Sequence, residues 1–102
     1  MTVVAHDPHY WFLLEEDVAL YLDGRYAHSF VEYGHPIRLT APEAEAYRRE
    51  GHEAVQRLYD RVQATAPVLR ASTSPYKGRR VSREVSDRMH AAVMAWKAET
   101  GP

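Results

Sequence analysis

Six histidines in a chain of 102 residues are the first place to look for chemistry, because imidazole both ligates metals and carries protons near neutral pH. Four of them form two groups. His6-Asp7-Pro8-His9 sets two imidazoles around a carboxylate, while His28, Ser29, Glu32 and His35 supply the types of a base, a nucleophile, an orienting acid and a further ligand. Neither group has the geometry its chemistry needs. A metal site gathers three or four such ligands with supporting partners, and these spacings match no zinc signature. Pro8 makes the first pair a turn near a mobile terminus. On one continuous strand His28 and Glu32 share a face while His35 points away, unless Gly34 bulges it round. Adjacent strand residues face opposite ways, so His28 cannot activate Ser29 directly, and no GxSxG elbow occurs. His28 and Glu32 stay as the acid–base pair to test, although four positions along a strand is wide for a close bond. No metal and no cofactor is expected.

The better-defined polar feature is PVLRASTSPYKGRRV and the arginine just beyond it. Arg70, Lys77, Arg79, Arg80 and Arg83, with Ser72, Thr73 and Ser74, stand just before a predicted helix start. The first amides and the dipole of a helix favour an anion there. The glycine-lysine order is not that of a Walker loop. The alternative is that these cations pair with Glu43, Glu45, Glu50 and Glu53. Charge is unevenly spread: residues 1–66 carry −5, residues 67–83 carry +5, and the whole chain carries −1. One basic segment in an acidic protein argues against a broad nucleic-acid footprint and leaves a local phosphate or nucleic-acid site as the second reading.

These residues need a scaffold, and hydrophobic periodicity supplies one. Tyr10-Trp11-Phe12-Leu13-Leu14 reads as a strand apolar on both faces. A turn at Glu15-Glu16-Asp17, the strand VALYL and a hairpin turn at Asp23-Gly24 follow, the glycine taking positive φ there. With a two-residue turn, Leu20 and Leu22 share a face with Ala27, Ser29 and Val31. With a longer bulged turn, Val18 and Leu20 share one with Tyr26, His28 and Phe30, the register preferred because it gathers more apolar area. After a turn or bulge at Tyr33-Gly34-His35-Pro36, IRLT makes a short fourth strand.

Thr40-Ala41-Pro42-Glu43 is a capping box, and the helix it opens should run to about residue 65, stopped by Pro67. Its inward stripe is Ala44, Tyr47, Gly51, Val55, Leu58 and Val62, with close approach of another backbone expected at Gly51. A second helix starts near Ser82, buries Val85, Met89, Ala92, Val93 and Trp96, and stops at Gly101-Pro102. Within the connecting loop, Val68 to Ala71 reads as a further strand.

The fold class is therefore α+β: an antiparallel β-meander of about four strands followed by two α-helices packed on one face. A single domain is expected, with the meander at 10–40, helices at about 41–65 and 82–98, and the basic loop at 67–81. The other sheet face would show aromatics, and Tyr10, Phe12, Tyr21, Tyr26 and Phe30 are the candidate interface residues. Either the N-terminal residues, the long loop or a helix covers that face within the chain, or a partner does. The partner would be a second copy in a homodimer or another protein. The chain has 45% hydrophobic content, no cysteine, no signal-like start and no membrane-length apolar run. A cytoplasmic, non-enzymatic interaction protein is the first reading, a nucleic-acid or phosphate binder the second, and a small histidine-dependent enzyme the third.

Overall fold

The strand that is apolar on both faces has a helix layer on each side. The computed structural model describes residues 1–100, so the helix stop read at Gly101-Pro102 lies outside the described residues. Five strands, β1 (Thr2–Asp7), β2 (Trp11–Glu16), β3 (Ala19–His28), β4 (Val31–Gly34) and β5 (Ile37–Arg38), form one antiparallel sheet. Its order is β1-β2-β3-β4, with β5 also on β3. Helices α1 (Ala41–Glu50), α2 (His52–Thr65) and α3 (Arg83–Thr100) complete an α+β fold.

β1 extends the meander past the expected start at residue 10. The expected hairpin at Asp23-Gly24 is absent: β3 runs straight through, with Asp23 opposite Phe12 and Gly24 opposite Trp11. The chain turns instead at Asp17-Val18 and Ser29-Phe30, where Asp17 and Ser29 take φ of 57° and 56°. Val18 is consequently 82% exposed, and neither register read from the sequence holds. Gly24 answers a packing demand, because the Tyr26 ring occupies the space a Cβ would need. β4 and β5 keep one register along β3 and are separated only by His35-Pro36. His35 is buried in that gap: its N–H donates to the Gly24 carbonyl at 3.3 Å, and Nε2 lies 2.7 Å from the Tyr76 carbonyl it donates to.

The capping box forms, with Thr40 N–H donating to Glu43 Oε1 and Glu43 N–H to Thr40 Oγ1. The expected single helix is broken at Gly51, which has φ 71° and ψ −141°. No atom lies within 4 Å of a Cβ built there, so backbone conformation, and not close approach, calls for glycine.

Strand alternation divides the core in two. Trp11, Leu13, Leu22, Tyr26 and Ile37 pack with Val55, Leu58, Tyr59 and Val62 of α2. Leu14 and Tyr21 pack with Met89 and Val93 of α3, with Phe12 and Val85 at the margin. The helices thus do not share a face. The long connection from Ala66 to Ser82 has a reason: it carries the chain from one side of the sheet to the other, around the β5 edge. There Arg80 bridges Ile37, and Val81 N–H donates to the Pro36 carbonyl at 2.9 Å. Val68 to Ala71 are turns and bends, not a strand.

Candidate functional site

The basic loop spends much of its charge on the fold. Arg79 holds Glu43, donates to the Arg38 carbonyl at 2.8 Å and stacks over Tyr76 with 5.3 Å to the ring centre. Lys77 donates to the carbonyls of Leu69 and Arg70 at 2.8 and 2.6 Å, and Arg80 to that of Gly34 at 2.8 Å. Arg70 and Arg83 are exposed at the two ends of the loop. Of the acidic partners foreseen for the loop, Glu43 alone is engaged by it among the described residues.

The histidine groups also separate. The turn at Ser29-Phe30 sets His28 opposite Val31 and Ala27 opposite Glu32, so His28 and Glu32 face opposite sides of the hairpin, both exposed. That corrects the shared face expected of a continuous strand. His6 lies against Trp96, with ring centres 4.6 Å apart, and His9 sits in a turn with φ 74°. His52 lies tilted against Trp11, with ring centres 4.9 Å apart, and approaches Asp7 at 3.4 Å. Among the described residues no three histidines or carboxylates gather where a metal could be held.

The aromatic candidates are shared among three environments. Tyr26 is buried under α2 and stacked on Tyr59 at 4.8 Å, while Tyr21 is buried under α3. Phe12 is half-buried beneath Trp96 at 5.3 Å. Tyr10 is exposed, and Phe30, at the hairpin tip, has its whole side chain in solvent at 105% relative exposure. The five do not make one face, because α3 covers part of the side on which a partner was expected.

What α3 leaves uncovered is the notable feature. It lies against β1 and β2, so the same side of β3 and β4 opens into a cleft of about 720 Å³ beside the helix. Phe12, Val93 and Met94 supply its apolar part; Asp23, Arg25, Glu32 and Lys97 its charges, with the His90 imidazole beside them. Burial pushes the Asp23 carboxyl above its ordinary value, against the opposing fields of His90, Arg25, Lys97 and Arg80. Lys97 Nζ rests over the Phe12 ring, 5.7 Å from its centre. Elsewhere Arg57, Arg79 and Arg88 each hold a carboxylate. Among the described residues, Asp23, Arg25 and His90 have no side-chain hydrogen bond or ion pair.

Sequence reasoning missed this cleft because it read Asp23 as a turn residue. The available signal was His90, Met94 and Lys97 at helical spacing, one position on from the buried Met89 and Val93 and the half-buried Trp96.

Among the described residues no helix is long and apolar enough to cross a membrane. No protein-family model, curated protein or solved structure matches the chain.

Proposed function

We propose that this chain is a cytoplasmic, non-enzymatic protein-interaction module that docks through its β3–β4 hairpin, with a second copy of itself as the partner. The observation that carries the reading is Phe30, fully exposed at the hairpin tip beside Val31 at 57% exposure. An apolar pair held out on a tight turn gains by burial against another molecule, at about 25 cal/mol per Å². The outer edge of β4 adds a second attraction. Arg80 takes the outward carbonyl of Gly34, so by alternation the amide and carbonyl of Glu32 also point away from β3 and are available to another strand. Two-fold pairing is the commonest arrangement that satisfies both copies at once. A cysteine-free sequence suits a reducing compartment.

Size-exclusion chromatography with light scattering at low and high salt tests this. The wild type should elute as a dimer that survives high salt, and Phe30→Asp should be monomeric with an unchanged circular dichroism spectrum. A wild-type monomer at about 0.1 mM overturns self-association.

A further inference from the structure

We infer that Gln63 is an edge guard: its side-chain amide stands in for a missing strand beside Ala27 and confines pairing to the outer edge of β4. The guard rests on bonds within one chain, and the use of the β4 edge rests on the hairpin reading.

β3 outruns its neighbour. The last backbone bond on that side is from Arg25 N–H to the Tyr10 carbonyl, at 2.8 Å, and continuing the register of β2 would set Pro8 opposite Ala27. Proline has no N–H to give, and the chain turns there instead, with Tyr10 N–H donating to the Asp7 carbonyl at 3.1 Å. The Ala27 N–H and carbonyl face away from β4, because these groups alternate along a strand and the Gly24 carbonyl, three positions back, accepts from His35 N–H. Left bare, they would offer an edge to another strand.

Helix α2 closes that edge. Gln63 Oε1 accepts from Ala27 N–H at 3.0 Å, and Gln63 Nε2 donates to the Ala27 carbonyl at 2.6 Å. Four positions earlier on the same helix face, the Tyr59 hydroxyl donates to the Arg25 carbonyl at 2.6 Å. A carboxamide has the donor and the acceptor of a peptide group, so bonding Ala27 through both reproduces one hydrogen-bonded pair of an antiparallel ladder. A hollow of about 370 Å³, lined by His9, Tyr10, Tyr59 and Gln63 among others, adjoins this pair. A strand has room there once Gln63 is gone.

The other edges are treated differently. β1 shifts register between Val3 and Ala5, an irregularity that blunts an edge. β5 is met by Arg80 through its bridge to Ile37. On β4, Arg80 takes the Gly34 carbonyl at 2.8 Å, and the groups of Glu32 are left for a second copy. Gln63 thus sets how many pairing edges the hairpin has: one closes a two-fold dimer, whereas two would build an open chain of copies.

Light scattering of the full chain at about 0.5 mM, with amide exchange followed by NMR, tests the inference. In the wild type the Ala27 amide should exchange slowly; fast exchange overturns the guard. Gln63→Met keeps the length of the side chain and removes both bonds, and it should add one association step, turning a wild-type dimer into tetramers and larger species. Gln63→Met combined with Ala27→Lys should return to the wild-type mass, because a lysine on an edge opposes strand pairing. A wild-type monomer removes the hairpin reading and leaves this one standing, with Gln63→Met then expected as a dimer. Gln63→Met at the wild-type mass, with Ala27 exchange accelerated about tenfold or more, overturns the guard and reduces Gln63 to a local hydrogen bond. Growth in mass that Ala27→Lys does not reverse also overturns it. Should Gln63→Met fail to fold, Gln63→Glu, which keeps the acceptor for Ala27 N–H and sets a charge against the Ala27 carbonyl, is read by the same masses.

Discussion

Arg79 and Glu43, 36 positions apart in sequence, are joined by two hydrogen bonds, Nη1 to Oε2 at 3.0 Å and Nη2 to Oε1 at 2.6 Å. The same carboxylate closes the capping box of α1, so one acid ties the sheet-crossing loop to the helix start.

The pH dependence of stability should report that pair. Burial works against the Glu43 charge, but the donors on Arg79 and Thr40 outweigh it and hold the carboxyl below its ordinary value of 4.5. A carboxyl depressed by folding gives stability that is complete above its unfolded value and lost as pH falls through the lower folded one. Glu43→Gln should cost about 1–2 kcal/mol at neutral pH and flatten the acid limb of urea-unfolding free energy against pH. Glu16, held low chiefly by its hydrogen bonds from Arg88, titrates in both proteins and cancels. An acid limb as steep as that of the wild type contradicts the assignment.

Gly51 should tolerate no side chain for a backbone reason alone. At φ 71° and ψ −141° an alanine is strained by about 1–3 kcal/mol even with open space around it. Gly78 also has open space but no such φ, so Gly78→Ala should be near neutral. Urea midpoints of the two variants give the comparison, and equal midpoints would remove the explanation for the helix break.

Gly24 should fail for a steric reason, since its Cβ would collide with the Tyr26 ring. Gly24→Ala should lose about 1–3 kcal/mol through overpacking. Tyr26→Phe should cost nothing or stabilise, because the Tyr26 hydroxyl is buried with no hydrogen-bond partner among the described residues. Thermal melts of both would settle it; a Tyr26→Phe protein that melts several degrees lower would mean the hydroxyl has a partner.

Asp23→Asn should stabilise the protein at neutral pH by about 0.5–1 kcal/mol, because a neutral amide replaces a half-buried carboxylate that has no hydrogen bond among the described residues. Folding raises this carboxyl's pKa, chiefly by burial, so its ionised form opposes folding as pH rises through the folded value, and the advantage of asparagine should vanish in acid. An unchanged difference between the two proteins at acid and neutral pH would rule this out.

The sequence was readable where a local rule decided the outcome. Thr40 and Glu43 stand at capping-box spacing, and Val55, Leu58 and Val62 recur at helical period, and all take the positions those patterns imply. It misled where a tertiary contact outweighed a local one. Asp23-Gly24 carries the composition of a turn, yet the Tyr26 ring is what requires the glycine, and that contact is visible only once β3 is built. The two-sided hydrophobicity of β2 correctly demanded two covers, but nothing local says that α3 supplies the second. The cleft was hidden for the same reason: it exists only through where α3 lies across the sheet.

The two apolar clusters have the sheet in common and no residue of either helix layer. The molecule can therefore open from one side at a time. α3, which buries only Met89 and Val93 fully, holds the smaller cluster, while α2 buries four residues, Val55, Leu58, Tyr59 and Val62, against the larger. Amide hydrogens of α3 should exchange with solvent through a local opening that leaves those of α2 protected, so the wall of the cleft belongs to the first cooperative unit to come free.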